Sequence, residues 1–140
     1  MSFDIFLQCF RKGEPEPISL ELFESIFLPH ATHPKAYKDD PGYLTLEYPD
    51  GSGGVLYCGG IATDGHMMFN HCGGESFWAD IYQLAERTGS VIFWPSAKPP
   101  SAVVTNEAIL KELPPGSFNP AHIRLIHNGS DIVKVIEASF

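Results

Sequence analysis

The sequence predicts one α+β domain over residues 1–140. Its sheet is mixed but mostly antiparallel, with a central meander, and three or four helices pack mainly on one face. Three observations lead there. Residues 72–95 read as a glycine loop, an amphipathic helix, a glycine stop and a buried strand. Residues 43–70 alternate apolar and polar positions between turn signals, as a three-stranded meander does. The full order also mixes strands joined by tight turns with strands separated by helices. No linker or internal repeat divides the chain.

Taken in order, residues 3–10 form a strand with Phe3, Ile5, Leu7 and Cys9 on one face and Asp4, Phe6, Gln8 and Phe10 on the other. Phenylalanine on both faces predicts a strand covered at least in part on both sides, and interior to the sheet. Residues 11–17 are a proline-bearing turn. Ser19 is placed to cap a helix, with Ile18 and Phe23 as a hydrophobic staple. Leu22, Phe23, Ile26 and Phe27 form its buried stripe, and Pro29 stops it. Residues 29–42 hold three prolines, two histidines, two lysines and Asp39-Asp40, and read as a long surface loop.

In the meander, Leu44, Leu46 and Tyr48 share a face, and Pro49-Asp50-Gly51 turns the chain into the strand 55–58. Gly59-Gly60 suggests a bulge or a close backbone approach before Ile61-Ala62, and Thr63-Asp64-Gly65-His66 turns into the strand 67–70. Phe77, Ile81, Leu84, Ala85 and Thr88 then fall on one helical face, Gly89 ends the helix, and 91–94 run apolar as a buried strand. A short apolar run at 102–104 follows. Asn106 caps a helix over 107–113, and 122–126 read as a further strand. The tail admits two readings. Asn128-Gly129 would make a hairpin into a strand at 132–136, but Ile132, Val133, Val135 and Ile136 have the paired spacing of a helix face, and helix is preferred.

Composition limits the function. The formal charge of −8 and pI near 5.1 exclude a typical nucleic-acid binder, which needs cations to displace counterions from phosphates. The same charge suits a basic protein partner. Ten Phe, five Tyr and two Trp must be shared between core and binding surface. Cys9, Cys58 and Cys72 are an odd number in a chain of ordinary domain size, which points to a reducing compartment. The first residues lack the basic, then apolar, pattern of a signal peptide. No apolar stretch reaches the ~18 residues of a membrane helix. A cytoplasmic protein is expected.

The opening Met1-Ser2-Phe3-Asp4-Ile5-Phe6-Leu7, the Gly13-Glu14-Pro15 that follows, and the later Arg87-Thr88-Gly89, apolar strand and Trp94-Pro95 resemble a group of small uncharacterised bacterial proteins. The resemblance covers residues 1–30 and the central segment. Its motifs are structural, and it implies no catalytic residue. In size and composition such chains also resemble the immunity factors encoded beside bacterial toxins.

Reactive side chains are densest at His66, His71, Cys72 and Glu75, with Cys58 on the neighbouring strand. A zinc site would need four converging ligands, normally through a paired Cys-x-x-Cys or His-x₃-His element, which is missing here. Cys72 could be a nucleophile beside a histidine and a helix N-terminus, with Gly73-Gly74 as oxyanion donors. Glu75 would oppose the developing charge. His30 and His33 with Asp39-Asp40 form a weaker metal candidate. The sequence therefore favours a protein-binding domain with no catalytic residue, metal or cofactor, whose binding residues include Trp78, Tyr37, Asp39 and Asp40. Its sharpest form is an immunity-type inhibitor of a basic bacterial toxin. The alternative is a small Cys/His or metal-dependent hydrolase using Cys72, His71 and His66.

Overall fold

The structure, a computed structural model, describes residues 3–140. Strand β1 (Ile5–Arg11) lies at the centre of the sheet, as its two-faced apolar pattern requires. It pairs antiparallel with β5 (His66–Gly73) on one side and β6 (Ser90–Phe93) on the other. Beyond β5 come β4 (Gly53–Tyr57) and β3 (Tyr43–Glu47), which complete the antiparallel meander. Beyond β6 come β7 (Ala102–Val104) and β8 (Ile123–Leu125), the latter parallel to its neighbour. The path is β3-β4-β5-β1-β6-β7-β8, and a two-residue strand, β2 (Glu14–Pro15), pairs with the end of β1. One parallel pair among antiparallel ones makes the sheet mixed, and the fold is α+β.

The helices are α1 (Leu20–Phe27), α2 (Pro34–Asp39), α3 (Ile61–Asp64), α4 (Glu75–Thr88) and α5 (Gly129–Ala138). Every one sends apolar side chains into the same core. Phe23, Ile26 and Phe27 come from α1, Tyr37 from α2, Ile61 from α3, Phe77, Trp78, Ile81, Leu84 and Ala85 from α4, and Ile132 and Ile136 from α5. They close on Ile5, Leu7, Leu56, Met67, Phe69, Ile92 and Val103, the inward residues of the strands. All the α-helices therefore cover one face.

The ends of these elements follow from local chemistry. The Ser19 hydroxyl accepts from Leu22 N–H, and Asn128 Oδ1 accepts from Asp131 N–H, so Asn128 caps the tail and the helix reading prevails. α4 has no side-chain cap of its own, since Gly74 precedes it. Its orphan donors are met from another element: Asp50 Oδ2 accepts from Ser76 N–H and Oγ–H, at 3.2 and 2.7 Å. Gly89 ends α4 in the left-handed conformation.

Three expectations change. Residues 29–42 are not an open loop, because a 3₁₀ turn (Leu28–His30) and α2 occupy most of them, and Pro34 starts a helix rather than preventing one. Gly59-Gly60 is the close backbone approach rather than the bulge: Gly60 begins the one-turn α3, so Ile61-Ala62 are helical, and a Cβ on Gly60 would lie 3.3 Å from the His66 carbonyl oxygen. Residues 107–112 are 3₁₀ rather than α, although Asn106 caps them as expected. The bulge falls at β4–β5 instead, where Gly53 faces Gly73 and Val55 faces Asn70, leaving Gly54 opposite His71 and Cys72.

Candidate functional site

The bulge decides the fate of the densest reactive cluster. His71 takes the extra residue with a φ of 47° and is exposed, while Cys72 turns into the core and is 3% exposed. Burial pushes the Cys72 thiol up to about 11, the reverse of what a thiolate nucleophile requires. Cys58 is pushed up to about 12, again by burial. His66 lies on the opposite face of the sheet, stacked 6.0 Å from Phe6. Among the described residues, no three His, Cys, Asp or Glu side chains are grouped as metal ligands.

Of the Gly73-Gly74 pair, Gly74 has a packing role. Gly74 has a φ of 97°, and a Cβ there would lie 1.9 Å from Ser52 Cβ, so only glycine lets the β3–β4 turn reach the start of α4. A 610 Å³ groove does open between the N-terminus of α4 and α5, lined by Cys72, Glu75, Trp78, Val133 and Lys134 among others. Burial disfavours the thiolate there, and the exposed Glu75 adds a carboxylate to the lining.

The expected binding residues divide. Trp78 is 3% exposed and Tyr37 is 2% exposed, so both belong to the core rather than to an accessible surface. Trp78 lies off the main stripe of α4 but packs at 5.9 Å against Phe69 and 5.3 Å against Phe77. Tyr37 is carried inward by α2, the helix not foreseen. Asp39 and Asp40 are exposed at the end of α2, and Asp40 Oδ1 accepts from Gly42 N–H in a turn.

A polar cluster not foreseen in the sequence ties the β3–β4 hairpin to α4. Tyr48 donates to Asp80 Oδ2 at 2.7 Å, and His30 Nε2 lies 3.8 Å from the same oxygen while its ring stacks on Tyr48 at 4.1 Å. Burial, then the bond to Asp80, drive the Tyr48 pKa upward, so it stays a donor. At 3.8 Å the His30–Asp80 contact is longer than the hydrogen bond by which an acid orients a catalytic base. The adjoining groove is lined by Pro29, Ala31, Thr32, Glu47 and Pro49, with no cysteine or serine. The Thr32 hydroxyl is engaged with Thr45. The cluster is a clasp.

The feature with no structural use is on the other face of the sheet. Strand register places Tyr43, Tyr57, Met68, Phe6, Phe93, Ala102 and Ile123 opposite one another in sequence across all seven strands. This is an unbroken apolar row, about 29 Å long at ~4.8 Å per strand. Its two ends differ. At the β6–β7–β8 end, residues 107–118 fold over the sheet: Ile109 is buried with Val91 and Val104, and Phe118 packs edge-on to Phe93 at 5.3 Å and to Phe10 at 6.1 Å. At the β3–β4 end nothing covers it. Tyr43 and Tyr57 meet edge to face at 5.4 Å and remain 47% and 38% exposed.

No single element in the sequence contains this row, because it exists only once five antiparallel registers and one parallel register are set. The available signal was the run of aromatic residues at outward positions of strands, Phe6, Tyr43, Tyr57 and Phe93. No helix among the described residues is long and apolar enough to cross a membrane. Comparison with family models, with curated proteins and with solved structures finds no match.

Proposed function

We propose that this chain is a protein-binding domain whose docking surface is the helix-free face of its sheet, and that it acts by occupying a partner rather than by catalysis. An immunity-type inhibitor of a basic toxin is the specific form of this reading. The supporting observation is the cross-strand row, whose inner half the protein covers itself and whose outer half, Tyr43, Tyr57, Met68 and Phe6, it leaves in contact with solvent. Aromatic side chains aligned on a rigid sheet are the material of interface hot spots, because they bury much area for little lost rotamer freedom.

The size of the strip matters to the reading. The uncovered part is one row of side chains over four strands, about 14 Å long, and so only a fraction of an interface that buries ~800 Å² per partner. It is therefore the dry centre of a contact whose polar rim lies outside it. The test is capture of partner proteins by the immobilised chain, wild type beside a Tyr43→Glu/Tyr57→Glu variant of unchanged far-UV circular dichroism. Proteins retained by the wild type and lost by the variant support the reading. Retention of the same proteins by both places binding elsewhere and overturns it.

A further inference from the structure

The outward strand positions also differ from the rest of the molecule in charge. The chain has nine lysines and arginines, and none stands at an outward position of the seven strands. Two carboxylates do. Glu47 ends the outward alternation of β3, and Asp4 continues that of β1, where its Oδ1 accepts from Asn70 Nδ2 at 2.9 Å. At the opposite end of the strip, Asp40 precedes Tyr43 and Asp64 precedes His66. None of these four carboxylates forms an ion pair among the described residues. The other titratable groups bordering this end are His66, on the face itself, and Lys35 and Lys38 of α2, which packs beside β3. The apolar strip is thus flanked on both sides by unpaired acids.

We infer that the uncovered strip docks a basic protein surface, with apolar groups on Tyr57, Met68 and Phe6 and cationic side chains on Asp4 and Glu47. The inference rests on the protein-binding reading and adds which side chains of this face meet the partner's apolar groups and which meet its cations. A second copy of this chain is a poor occupant, because it would bring the same carboxylates, on a chain of formal charge −8, against their equals. An arginine-bearing surface meets both requirements at once, since guanidinium stacks on tyrosine and pairs with carboxylate.

The experiment titrates the ¹⁵N-labelled full chain with two short peptides, one alternating leucine with arginine and the other leucine with glutamate. The expected result is amide shifts confined to Tyr57, Met68, Phe6 and their neighbours with the arginine peptide only. Affinity should fall about tenfold from low to physiological salt, and several-fold in an Asp4→Asn/Glu47→Gln variant. Equal binding of both peptides to this face overturns the cationic partner and leaves the protein-binding reading standing. A wild-type dimer in sedimentation that Tyr57→Glu converts to monomer also overturns it, in favour of self-association. Arginine-peptide shifts that fall elsewhere, or no shifts at all, overturn both.

Discussion

The two faces of this sheet are made from the same kinds of residue and put to different uses. On the helix face, Phe69 is fully buried and meets Phe77 and Trp78 edge-on, both at 5.9 Å. One residue away, Met68 points to the other face, and its row neighbour Tyr57 is more than a third exposed. Strand alternation alone puts these neighbours in opposite surroundings. An apolar side chain therefore says that a strand face is covered by something. Whether that something belongs to the same chain depends on the length and placement of the remaining helices.

The largest expected difference between the faces is in stability. Phe69→Ala removes a ring from close packing and should cost about 3–5 kcal/mol, a large share of the 5–15 kcal/mol typical of a domain. Met68→Ala, its neighbour on the open face, should cost about 1 kcal/mol or less, as a partly exposed side chain with little cavity to leave. Urea unfolding of both variants measures the contrast. Comparable losses would mean that the open face is covered.

A second contrast tests how the helices reach their face. Gly129 starts α5 against α4, and a Cβ there would lie 2.5 Å from the Trp78 carbonyl carbon and oxygen. Because the obstacle is backbone, Gly129→Ala should force the two helices apart and cost about 2–3 kcal/mol. The exposed Gly51, whose added Cβ would meet nothing within 4 Å, is the control for this contact, although its φ of 84° brings a smaller strain of its own.

Next in size is the clasp from the hairpin to α4. Hydrogen bonds from the Ser52 and Ser76 hydroxyls, then from the Ser52 backbone N–H, hold the Asp50 carboxyl well below the usual carboxylate range. A group depressed in the folded state stabilises above its unfolded pKa, about 3.9 for aspartate, and loses that contribution as pH falls below it. Wild type should therefore melt above Asp50→Asn at neutral pH, with the gap closing as the pH drops below about 4. A gap that stays constant down to low pH would mean that the Asp50 charge is not what caps α4.

These contrasts also show which parts of the molecule could be read in the sequence. The helix α4 and its Gly89 stop were legible because spacing and capping act within a few residues. So was the central place of β1, since Phe6 and Leu7 point to opposite faces and both are apolar. Trp78 was misplaced because one helix has only one stripe by spacing, and its burial depends on its packing against Phe69 and Phe77 and on α5 closing against α4. Tyr37 was misplaced because Pro34 reads equally as a loop residue and as the first residue of a helix. The His30, Tyr48 and Asp80 cluster joins three elements and has no local trace. The same holds for the apolar row: its members were visible one by one, but their alignment is a property of register.

The smallest expected stability effect separates a docking strip from a core most directly. Tyr57→Thr keeps a residue suited to a strand and removes one ring of the pair with Tyr43. Cross-strand aromatic pairs contribute about 0.2–1 kcal/mol, and Tyr57 is already 38% exposed, so unfolding should shift by about 0.5 kcal/mol. Binding of the arginine peptide should fall by tenfold or more in the same variant, as for a central aromatic anchor. The ratio of the two losses is the decisive quantity. A core residue loses stability first and binding only through unfolding, whereas a docking residue loses binding while the fold stands. Tyr57→Thr with a stability loss above about 2 kcal/mol would place this ring in the first class and the open strip with the core it resembles.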